Sequence, residues 1–441
     1  MRAARGLILA APASRSGKTL IAAGLLRHLR QRGTRVAAAK AGPDYIDPSF
    51  HAAAIGRPCI NLDVWGMRPA TLAGLVAELE NGVELVLCEG VMGLFDGTGP
   101  DGEAGSTAAL ARLTGWPVVL IVDARGQGAS VAALIGGFAR HDPHVLIAGA
   151  IFNRVAGARH RELLQAALSR HVPDVSCLGA MPQNPAFSLP ERHLGLVPAA
   201  EHRGSEAIIQ RAASIVSEAV DVDALLALAC PSRFGGAART TPLLPLGQRI
   251  AVARDDAFAF TYPALLDGWQ RSGAELSFFS PLSDEPPDHD ADAIYLPGGY
   301  PELHAAKLAN AERFLGGLRR AANDGIAIYG ECGGYMVLGE ALTDAGGQVH
   351  RMAGLLPLAT SFAERRLHLG YRTMTLLEDG PLGRAGGRFR GHEFHYATTL
   401  SARGDALFAM GASCGVDLGH AGLRHGPVAG SFLHVIDREA D

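Results

Sequence analysis

The chain has 441 residues, 19% of them charged, and a formal net charge of −4. This length is more than one ordinary hydrophobic core occupies, so it predicts two domains. The charge balance is weakly acidic and shows no long run of like charges, which argues against nucleic acid or an anionic membrane as a partner. We expect the ligands to be small molecules.

The cysteines and the apolar segments indicate the compartment. The six cysteines are scattered, without a CxxC pair or metal-like spacing, at Cys59, Cys88, Cys177, Cys230, Cys332 and Cys414. This usage predicts a reducing environment without disulfides or zinc. The N-terminal apolar run of about seven residues is short for a signal peptide, and no run approaches the ~18 apolar residues of a membrane span. We therefore expect a cytoplasmic protein.

Apolar strand-like segments alternate with helical ones through the first half. The strand-like segments are RGLILAAPA, RVAAAKAG, VELVLCEG, PVVLIVDA and VLIAGAIFN. Such uniformly apolar strands are typical of a parallel sheet that is covered on both faces. The pattern predicts a doubly wound α/β domain over residues 1–230.

A segment rich in Pro, Gly, Ser and Thr, PSRFGGAARTTPLLPLG, predicts a linker over residues 231–247. Strand-like segments then return as RIAVARD, AELSFFSPL, ADAIYLPGG, GIAIYGEC and one late strand, VAGSFLHV. We expect a second α/β domain over residues 248–441, which is long enough to fold as a unit.

The segment LILAAPASRSGKTLIAAGLL places a GKT triplet between a strand and a helix. In a phosphate-binding loop (P-loop), backbone amides and the helix N-terminus hold phosphates, the Lys contacts the outer phosphates, and the Thr hydroxyl reaches Mg²⁺. Lysine occurs only three times in this arginine-rich chain, which favours a specific role for it here. The predicted nucleotide-binding residues of the loop are Ser16, Gly17, Lys18 and Thr19.

The spacing of this loop departs from the strict GxxxxGKT pattern. Pro12 stands where that pattern has its first glycine, and Ala11 stands where a loop longer by one residue would have it. The longer spacing resembles that of ATP-dependent enzymes of the dethiobiotin synthetase type.

Four carboxylates follow predicted strands in the same half. Asp44 and Asp47 lie in KAGPDYIDPSFH, and Glu89 ends a strand shortly before Asp96. The carboxyl ends of parallel strands meet at one crevice, so these side chains would converge on the nucleotide and its metal. Because Mg²⁺ takes one or two carboxylates, we expect it to bind Thr19, Asp47 and Glu89. Ordinary turn roles are the alternative for Asp44 and Asp96.

Asn153 closes the fifth predicted strand, in GAIFNRV. Its amide would contact an adenine edge, which makes it a further candidate for nucleotide binding. An ordinary loop asparagine is the alternative.

The segment IAIYGECGGYMVLGEAL predicts a strand, a sharp turn and a helix, with GxCxG at the turn. This is the pattern of a nucleophile elbow, in which glycines permit a strained backbone and the helix N-terminus favours a thiolate. A buried structural cysteine would not require Gly330, Gly333 and Gly334 around it. We interpret Cys332 as a nucleophile.

A cysteine nucleophile requires a base and an oxyanion hole. His434, in the late segment PVAGSFLHVID, is the predicted base. The HExH pattern in RGHEFHYA lacks the spacing of the zinc motif HExxH. We expect it to lie on a strand, with His392 and His395 as a wall of the site or as part of the core. The predicted oxyanion-hole residues are Gly298, Gly299 and Gly333.

The order PGGYPE, GECGG and SFLH over about residues 248–441 resembles the glutaminase domain of class I glutamine amidotransferases, in its cobyric-type branch. In ordinary members a Glu two residues after the His orients it, but here that position holds Ile436. The resemblance implies a Cys–His dyad and slow glutamine hydrolysis, with Asp437 or Glu393 as candidate substitutes for the missing Glu.

With GPDYIDPSFH, EGVMGLFDG and LPGGYPELHA in order, the whole chain resembles the family of cobyrinate and hydrogenobyrinate a,c-diamide synthases. The resemblance implies that ATP phosphorylates a corrinoid carboxylate in the N-terminal domain, and that ammonia from L-glutamine displaces the phosphate. Asp44, Tyr45 and Asp96 match family positions near the reacting carboxylate, which implies contact with the substrate. The arginine-rich, lysine-poor composition is typical of a GC-rich bacterium, and many such bacteria use the aerobic route to the corrinoid. This favours hydrogenobyrinic acid over cobyrinic acid as that substrate.

Other functions stay open at this point. A nickel sirohydrochlorin a,c-diamide synthase is a related alternative. A partitioning-type ATPase switch would share the P-loop but would not require the cysteine elbow, and a degenerate amidotransferase would only bind its ligand. The oligomeric state is also open, with a homodimer as one candidate.

Overall fold

The computed structural model describes residues 4–99, 101–184, 191–192, 195–196, 204–235 and 240–439. It divides into two compact units. Unit 1 comprises residues 1–65 and 69–239, and unit 2 comprises residues 66–68 and 240–441. The linker over 231–247 stays a prediction, and part of it lies outside the described residues.

Unit 1 is built on a parallel sheet. Its strands are β1 (Arg5–Ala10), β2 (Val36–Ala41), β3 (Cys59–Leu62), β4 (Leu85–Glu89), β5 (Val118–Asp123), β6 (Ile147–Val155) and β7 (Ser176–Pro182). The sheet order is β3-β2-β4-β1-β5-β6-β7, with parallel pairing throughout. Because the chain winds outward from β1 in both directions, this is the predicted doubly wound topology.

Helices connect these strands. They are α1 (Lys18–Gln31), α2 (Asp47–Ile55), α3 (Pro69–Glu80), α4 (Thr107–Thr114), α5 (Val131–His141), α6 (Ala158–His171), α7 (Ser205–Ala219) and α8 (Val222–Leu228). Two short strands, β8 (Glu191–Arg192) and β9 (Gly195–Leu196), pair with each other. Every residue of the inner strands β2 and β4 is buried, as expected for strands that are covered on both faces, and the edge strand β3 is buried as well.

Unit 2 also begins as an α/β fold. The elements of this part are β10 (Arg249–Ala253), α9 (Pro263–Arg271), β11 (Glu275–Phe279), β12 (Ala293–Leu296), α10 (Ala305–Ala309), α11 (Glu312–Asn323), β13 (Ala327–Glu331) and α12 (Gly333–Leu338). Short 3₁₀ turns lie at Pro281–Ser283 and Pro301–Leu303. These strands match the segments predicted from the sequence.

The rest of unit 2 is mainly antiparallel, which the sequence analysis did not predict. Its strands are β14 (Ala341–Thr343), β15 (Val349–Arg351), β16 (Leu358–Ser361), β17 (His368–Leu376), β18 (Arg388–His395), β19 (Thr398–Ala402), β20 (Phe408–Ala412), β21 (Asp417–Ala421), β22 (Leu423–His425), β23 (Val428–Ser431) and β24 (Leu433–Arg438). The described strands form sheets of six (β11-β10-β12-β13-β23-β22), four (β15-β14-β16-β19) and five strands (β21-β20-β17-β18-β24).

The prediction of one late strand over VAGSFLHV was wrong. The structure breaks this segment at Phe432 into β23, which pairs with β13, and β24, which pairs with β18. The break matters for the site, because β23 lies beside the strand that precedes Cys332 while β24 carries His434. One continuous apolar run in the sequence therefore serves two sheets.

The described part of the chain contains no helix with both the length and the apolar character that a bilayer span requires.

The N-terminus of α4 provides a test of the fold. The buried Ser106 hydroxyl accepts a hydrogen bond from Ala109 N at 3.1 Å, whereas Ser130, which is exposed before α5, makes no such cap. We expect Ser106→Ala to lower the free energy of unfolding by about 1 kcal/mol, because a helix N–H loses its acceptor. Urea unfolding of the full chain measures this, with Ser130→Ala as the matched control. Equal effects of the two changes would contradict the cap.

Candidate active sites

The P-loop of unit 1 has the backbone that its sequence predicts. Gly17 has φ 89°, in the left-handed region, and caps α1, which begins at Lys18. The Ser16 hydroxyl donates to Ala13 O at 2.8 Å, inside the loop. A Cβ on Gly17 would lie 2.3 Å from Asn153 Nδ2, so both its conformation and its surroundings require glycine.

Asn153 lies against this loop. Its Nδ2 donates to Ser16 O at 2.8 Å, and its Oδ1 accepts a hydrogen bond from Arg154 N at 2.9 Å. The side chain is buried and therefore supports the back of the loop. Its contact with adenine stays a prediction.

The GKT triplet contacts the segment that begins at the end of β4, and its Thr19 meets one of the predicted carboxylates. The Thr19 hydroxyl donates to Glu89 Oε1 at 2.8 Å, and Lys18 Nζ donates to Met92 O at 2.7 Å. Asp96 accepts from Gly93 N at 2.9 Å, in the same segment after β4. Glu89 thus meets the P-loop as expected for the ends of parallel strands, whereas the hydrogen bond of Asp96 lies within its own turn.

Lys40 lies at the centre of these carboxylates, and the sequence analysis did not assign it a role. Its Nζ is 2.7 Å from Asp47 Oδ2, 3.4 Å from Glu89 Oε2 and 3.7 Å from Asp44 Oδ2, and the residue is only 2% exposed. The sequence did carry a signal, because Lys40 is one of three lysines among 40 basic residues. Its charge offsets those of the three carboxylates around it.

The charges around Lys40 determine the ionisation of the site. Burial alone would raise the pKa of Glu89, but Lys40, His51 and Lys18 outweigh burial and lower that pKa to about 2. His51 Nε2 lies 2.6 Å from Glu89 Oε2, a contact not predicted from the sequence. Burial and the neighbouring Asp47 raise the pKa of Asp44 to about 7. Glu89 is thus an ionised carboxylate in contact with the P-loop threonine.

The loop after β2 holds the remaining predicted substrate residues. Asp44 Oδ1 accepts hydrogen bonds from Ile46 N at 2.8 Å and Asp47 N at 3.1 Å, so this carboxylate also organises its own turn. Tyr45 follows it and is half-buried. Contact of either residue with a substrate stays a prediction.

The predicted elbow of unit 2 is present around Cys332. This residue lies between β13 and α12 with φ 46° and ψ −100°, a strained backbone for a residue other than glycine. A Cβ on Gly334 would lie 2.0 Å from Leu296 O, and one on Gly330 would lie 2.7 Å from Leu338 Cδ1. The glycines therefore allow the close packing that holds Cys332 in this conformation.

The sequence predicts that a helix N-terminus favours the thiolate of Cys332, but burial outweighs this effect in the structure. Burial, and then the charge of Glu302, raise the pKa of this thiol well above its ordinary value. The N–H of Gly333 acts in the opposite direction but is weaker, and α12 is only six residues long. Cys332 is consequently a neutral thiol at pH 7 and requires a base to become a nucleophile.

His434 is placed to be that base. A Cβ on Gly298 would lie 2.5 Å from His434 Cε1 and 3.4 Å from Cys332 Cβ, so both side chains flank the same glycine. Burial, followed by the nearby His392 and His395, lowers the pKa of His434. The imidazole is therefore neutral at pH 7, as a proton acceptor must be.

The predicted oxyanion-hole glycines lie together beside the elbow. Gly299 N would be 3.0 Å from a Cβ on Gly333, so these two residues are in close contact. The N–H of Gly334 is engaged with Pro297 O at 3.1 Å. The structure brings Gly298, Gly299 and Gly333 around Cys332, while their role in stabilising an oxyanion stays a prediction.

The two candidate substitutes for the missing Glu have other partners. Asp437 accepts hydrogen bonds from Arg68 N and from the Arg68 guanidinium, at 2.8–3.0 Å, within unit 2. Glu393 pairs with Arg372 at 2.8 Å and with His395 Nε2 at 3.1 Å. The carboxylate beside the base is that of Glu331, whose Oε2 lies 3.7 Å from His434 Nδ1.

His392 and His395 lie on strand β18, as predicted, and form a wall beside the base. His392 pairs with His434 across β18 and β24, with ring centroids 4.9 Å apart. His395 and Glu393 lie close enough to His368 for a metal ion to bridge all three. Arg372 already neutralises Glu393, so this group carries no metal assignment here.

Both halves of the chain match known families. Residues 7–197 match the CobQ/CobB/MinD/ParA nucleotide-binding domain, and residues 249–441 match the CobB/CobQ-like glutamine amidotransferase domain. The P-loop with its carboxylates and the cysteine elbow with its histidine are the sites that such domains require. The chain is thus a two-domain, glutamine-dependent, amide-forming ligase.

Curated full-length relatives identify the family more closely. Hydrogenobyrinate a,c-diamide synthase of Brucella anthropi is 54% identical over 98% of each chain. The enzymes of the same name from Rhizobium meliloti (53% identical; 98% of this chain and 99% of the relative) and Mesorhizobium japonicum (48%; 99% of each) match similarly. The chain belongs to the hydrogenobyrinate a,c-diamide synthase family.

Replacement of Lys40 tests the charge balance of unit 1. Lys40→Met leaves Asp44, Asp47 and Glu89 without their buried cation, so we expect the free energy of unfolding to fall by about 3 kcal/mol. Lys307→Met, at an exposed lysine, is the matched control and is expected to change it little. Urea unfolding of the full chain compares the two. A Lys40→Met protein as stable as the control would show that the carboxylates do not depend on this ammonium.

Proposed function

We propose that the chain amidates the a and c side-chain carboxylates of hydrogenobyrinic acid, with ATP and L-glutamine as co-substrates. The observation that carries this proposal is the pairing of two complete sites in one chain. Unit 1 has a P-loop whose threonine contacts an ionised carboxylate, and unit 2 has a cysteine elbow beside a neutral histidine. The relatives' name supplies the substrate.

The first half-reaction takes place in unit 1. A carboxylate is a poor acyl donor, because oxide is its leaving group, and phosphorylation by ATP converts it into an acyl phosphate with a good leaving group. Lys18, at the start of α1, offsets the charge of the outer phosphates during transfer. Lys40 keeps Asp44 and Asp47 together at the place where we expect the substrate carboxylate.

The residues present fit a magnesium ion beside the P-loop. Glu89 is ionised and its Oε1 already meets the Thr19 hydroxyl, which is the oxygen donor set that Mg²⁺ takes with phosphate. Asp47, the third predicted ligand, contacts Lys40 at 2.7 Å, so its carboxylate is shared with that ammonium. Bound there, the ion would neutralise charge on the transferred phosphoryl group.

The second half-reaction begins at Cys332. His434 takes the thiol proton as sulfur attacks the glutamine carboxamide, and the proton passes to the departing nitrogen, which leaves as ammonia. Water then hydrolyses the thioester to glutamate. Ammonia in bulk water at pH 7 is mostly ammonium and not nucleophilic, so its release inside the enzyme favours attack on the acyl phosphate.

A partitioning-type ATPase switch is less well supported, since it has no use for the elbow or for the buried imidazole beside it. A degenerate, binding-only amidotransferase is disfavoured because the base has a neighbouring carboxylate, Glu331, despite Ile436. A cytoplasmic location and a homodimer stay predictions from the sequence.

Variants at the two sites are expected to differ in their use of ammonia. Cys332→Ala should abolish glutamine-dependent amidation while leaving amidation by ammonium chloride intact, because only the ammonia source is lost. Lys18→Ala should abolish both, because the carboxylate is no longer activated. Product formation by wild type and the two variants, with each nitrogen source, measures this. Ammonia-driven activity in Lys18→Ala would refute the role of unit 1.

The substrate assignment is tested by competition. We expect a higher kcat/KM for hydrogenobyrinic acid than for cobyrinic acid or nickel sirohydrochlorin, with ATP and glutamine fixed. The products are separated by chromatography and the added amides are counted by mass. Preference for either metal-containing compound would overturn the substrate while leaving the amidotransferase chemistry in place.

A further inference from the structure

A buried glutamate occupies the position directly before the nucleophile. Glu331 is the last residue of β13, is 2% exposed, and precedes Cys332 in the chain. Nothing about the elbow requires a charged group there, because its geometry depends on the glycines and on the backbone of residue 332. A buried carboxylate without a use would be costly.

Both carboxylate oxygens of Glu331 lie against the segment that carries the catalytic base. Its Oε2 lies 3.7 Å from His434 Nδ1, and its Oε1 accepts a hydrogen bond from Val435 N at 3.1 Å. The carboxylate therefore meets both the imidazole of His434 and the backbone immediately after it. Two buried hydroxyls hold the carboxylate itself, with Tyr295 donating to Oε2 at 2.9 Å and Tyr329 donating to Oε1 at 3.3 Å.

We propose that Glu331 is the positioning residue for His434, replacing from the nucleophile strand the glutamate that Ile436 has displaced. An ionised carboxylate beside Nδ1 favours the tautomer in which Nδ1 carries the proton. Nε2 is then left unprotonated to accept the proton of the Cys332 thiol as sulfur attacks. The same carboxylate stabilises the imidazolium that this transfer produces.

The ionisation of Glu331 makes the proposal measurable. Burial raises its pKa to about 7, against the hydrogen bonds from Val435, Tyr295 and Tyr329, which lower it. The carboxylate form therefore becomes dominant only as pH rises through that value. His434 has a lowered pKa and is already neutral at that pH. Glu331 is therefore the group expected to set the acid limb of the pH profile of Cys332 reactivity, which is the range where the rate rises with pH. The other titratable groups around Glu331, Cys332 and His434 are Tyr262, Tyr295, Glu302, Tyr329, His392, Glu393 and His395.

Alkylation of Cys332 by iodoacetamide tests this directly on the full chain. In wild type the rate should rise with pH through about 7. In Glu331→Gln it should fall by about 100-fold and lose that rise, because a carboxamide nitrogen facing Nδ1 favours the wrong tautomer. The kcat for glutamine hydrolysis should fall in parallel, with little change in KM. Mass spectrometry of the Cys332 peptide separates this reaction from that of the exposed Cys414.

Two further variants complete the design. Tyr295→Phe removes a donor that stabilises the ionised carboxylate, so the acid limb should move to higher pH while the alkaline plateau changes little. Glu340→Gln, at an exposed glutamate, is the matched control and should match wild type. If Glu331→Gln keeps the wild-type rise near pH 7, the inference is wrong. If Glu331→Gln does not fold, an unchanged limb in Tyr295→Phe overturns it.

The inference rests on the proposed glutaminase function, and the two can fail separately. The alkylation requires neither ATP nor a corrinoid, so the wrong corrinoid would leave it untouched. A wild type that lacks glutamine-dependent amidation and glutaminase activity would refute the proposed function. A wild type that has both, with Glu331→Gln equal to it at every pH, would refute only the positioning role.

Discussion

The backbone of Cys332 is the constraint on which the glutaminase unit depends. A residue with a side chain at φ 46° persists only if its surroundings hold it there. Its N–H donates to Ser431 O at 2.8 Å, which ties the elbow to β23, and its O accepts from Met336 N. The chain then turns at Phe432 into β24, so the same tie fixes the place from which His434 enters the site. Strain at one residue is thus balanced by the strands that deliver the base.

Two buried glutamates, one in each unit, have pKa values that are shifted in opposite directions. Glu89 lies among Lys40, His51 and Lys18, and their charges keep it ionised far below neutral pH. Among the described residues, Glu331 contacts two hydroxyls, one backbone N–H and a neutral imidazole, so burial dominates and its pKa rises to about 7. The difference suits the chemistry. A site for phosphate and metal requires permanent charge, whereas a carboxylate beside a base is most useful when it responds to the proton on the imidazole.

Much of the fold and the site could be predicted because the signals are local. GKT after an apolar strand and GxCxG before a helix each specify a backbone conformation within a few residues, and both are present. The contacts of Lys40 and His51 with Glu89 were missed, since Lys40 on β2 and His51 on α2 are distant in sequence from Glu89 on β4. They meet because β2 and β4 are neighbours in the sheet. The prediction of one late strand was wrong for a related reason. Hydrophobicity alone does not show where an apolar segment ends its pairing in one sheet and begins to pair in another.

The usual triad has a Glu two residues after the His, and the arrangement of β13, β23 and β24 explains how this chain does without it. The position two residues after His434 falls at a bulge in β24, between the pairs Gly391–Val435 and Arg390–Asp437. Regular side-chain alternation is interrupted there, so it does not place a residue at this position beside His434. That position is Ile436, which is buried, while the carboxylate comes from β13, whose next residue is the nucleophile. Nucleophile and orienting carboxylate then move together with one strand, and only the base must be aligned to them. Whatever holds β13 in register with β23 therefore also holds the carboxylate in reach of the imidazole. The missing glutamate is a change in which strand supplies the charge, rather than a loss of it.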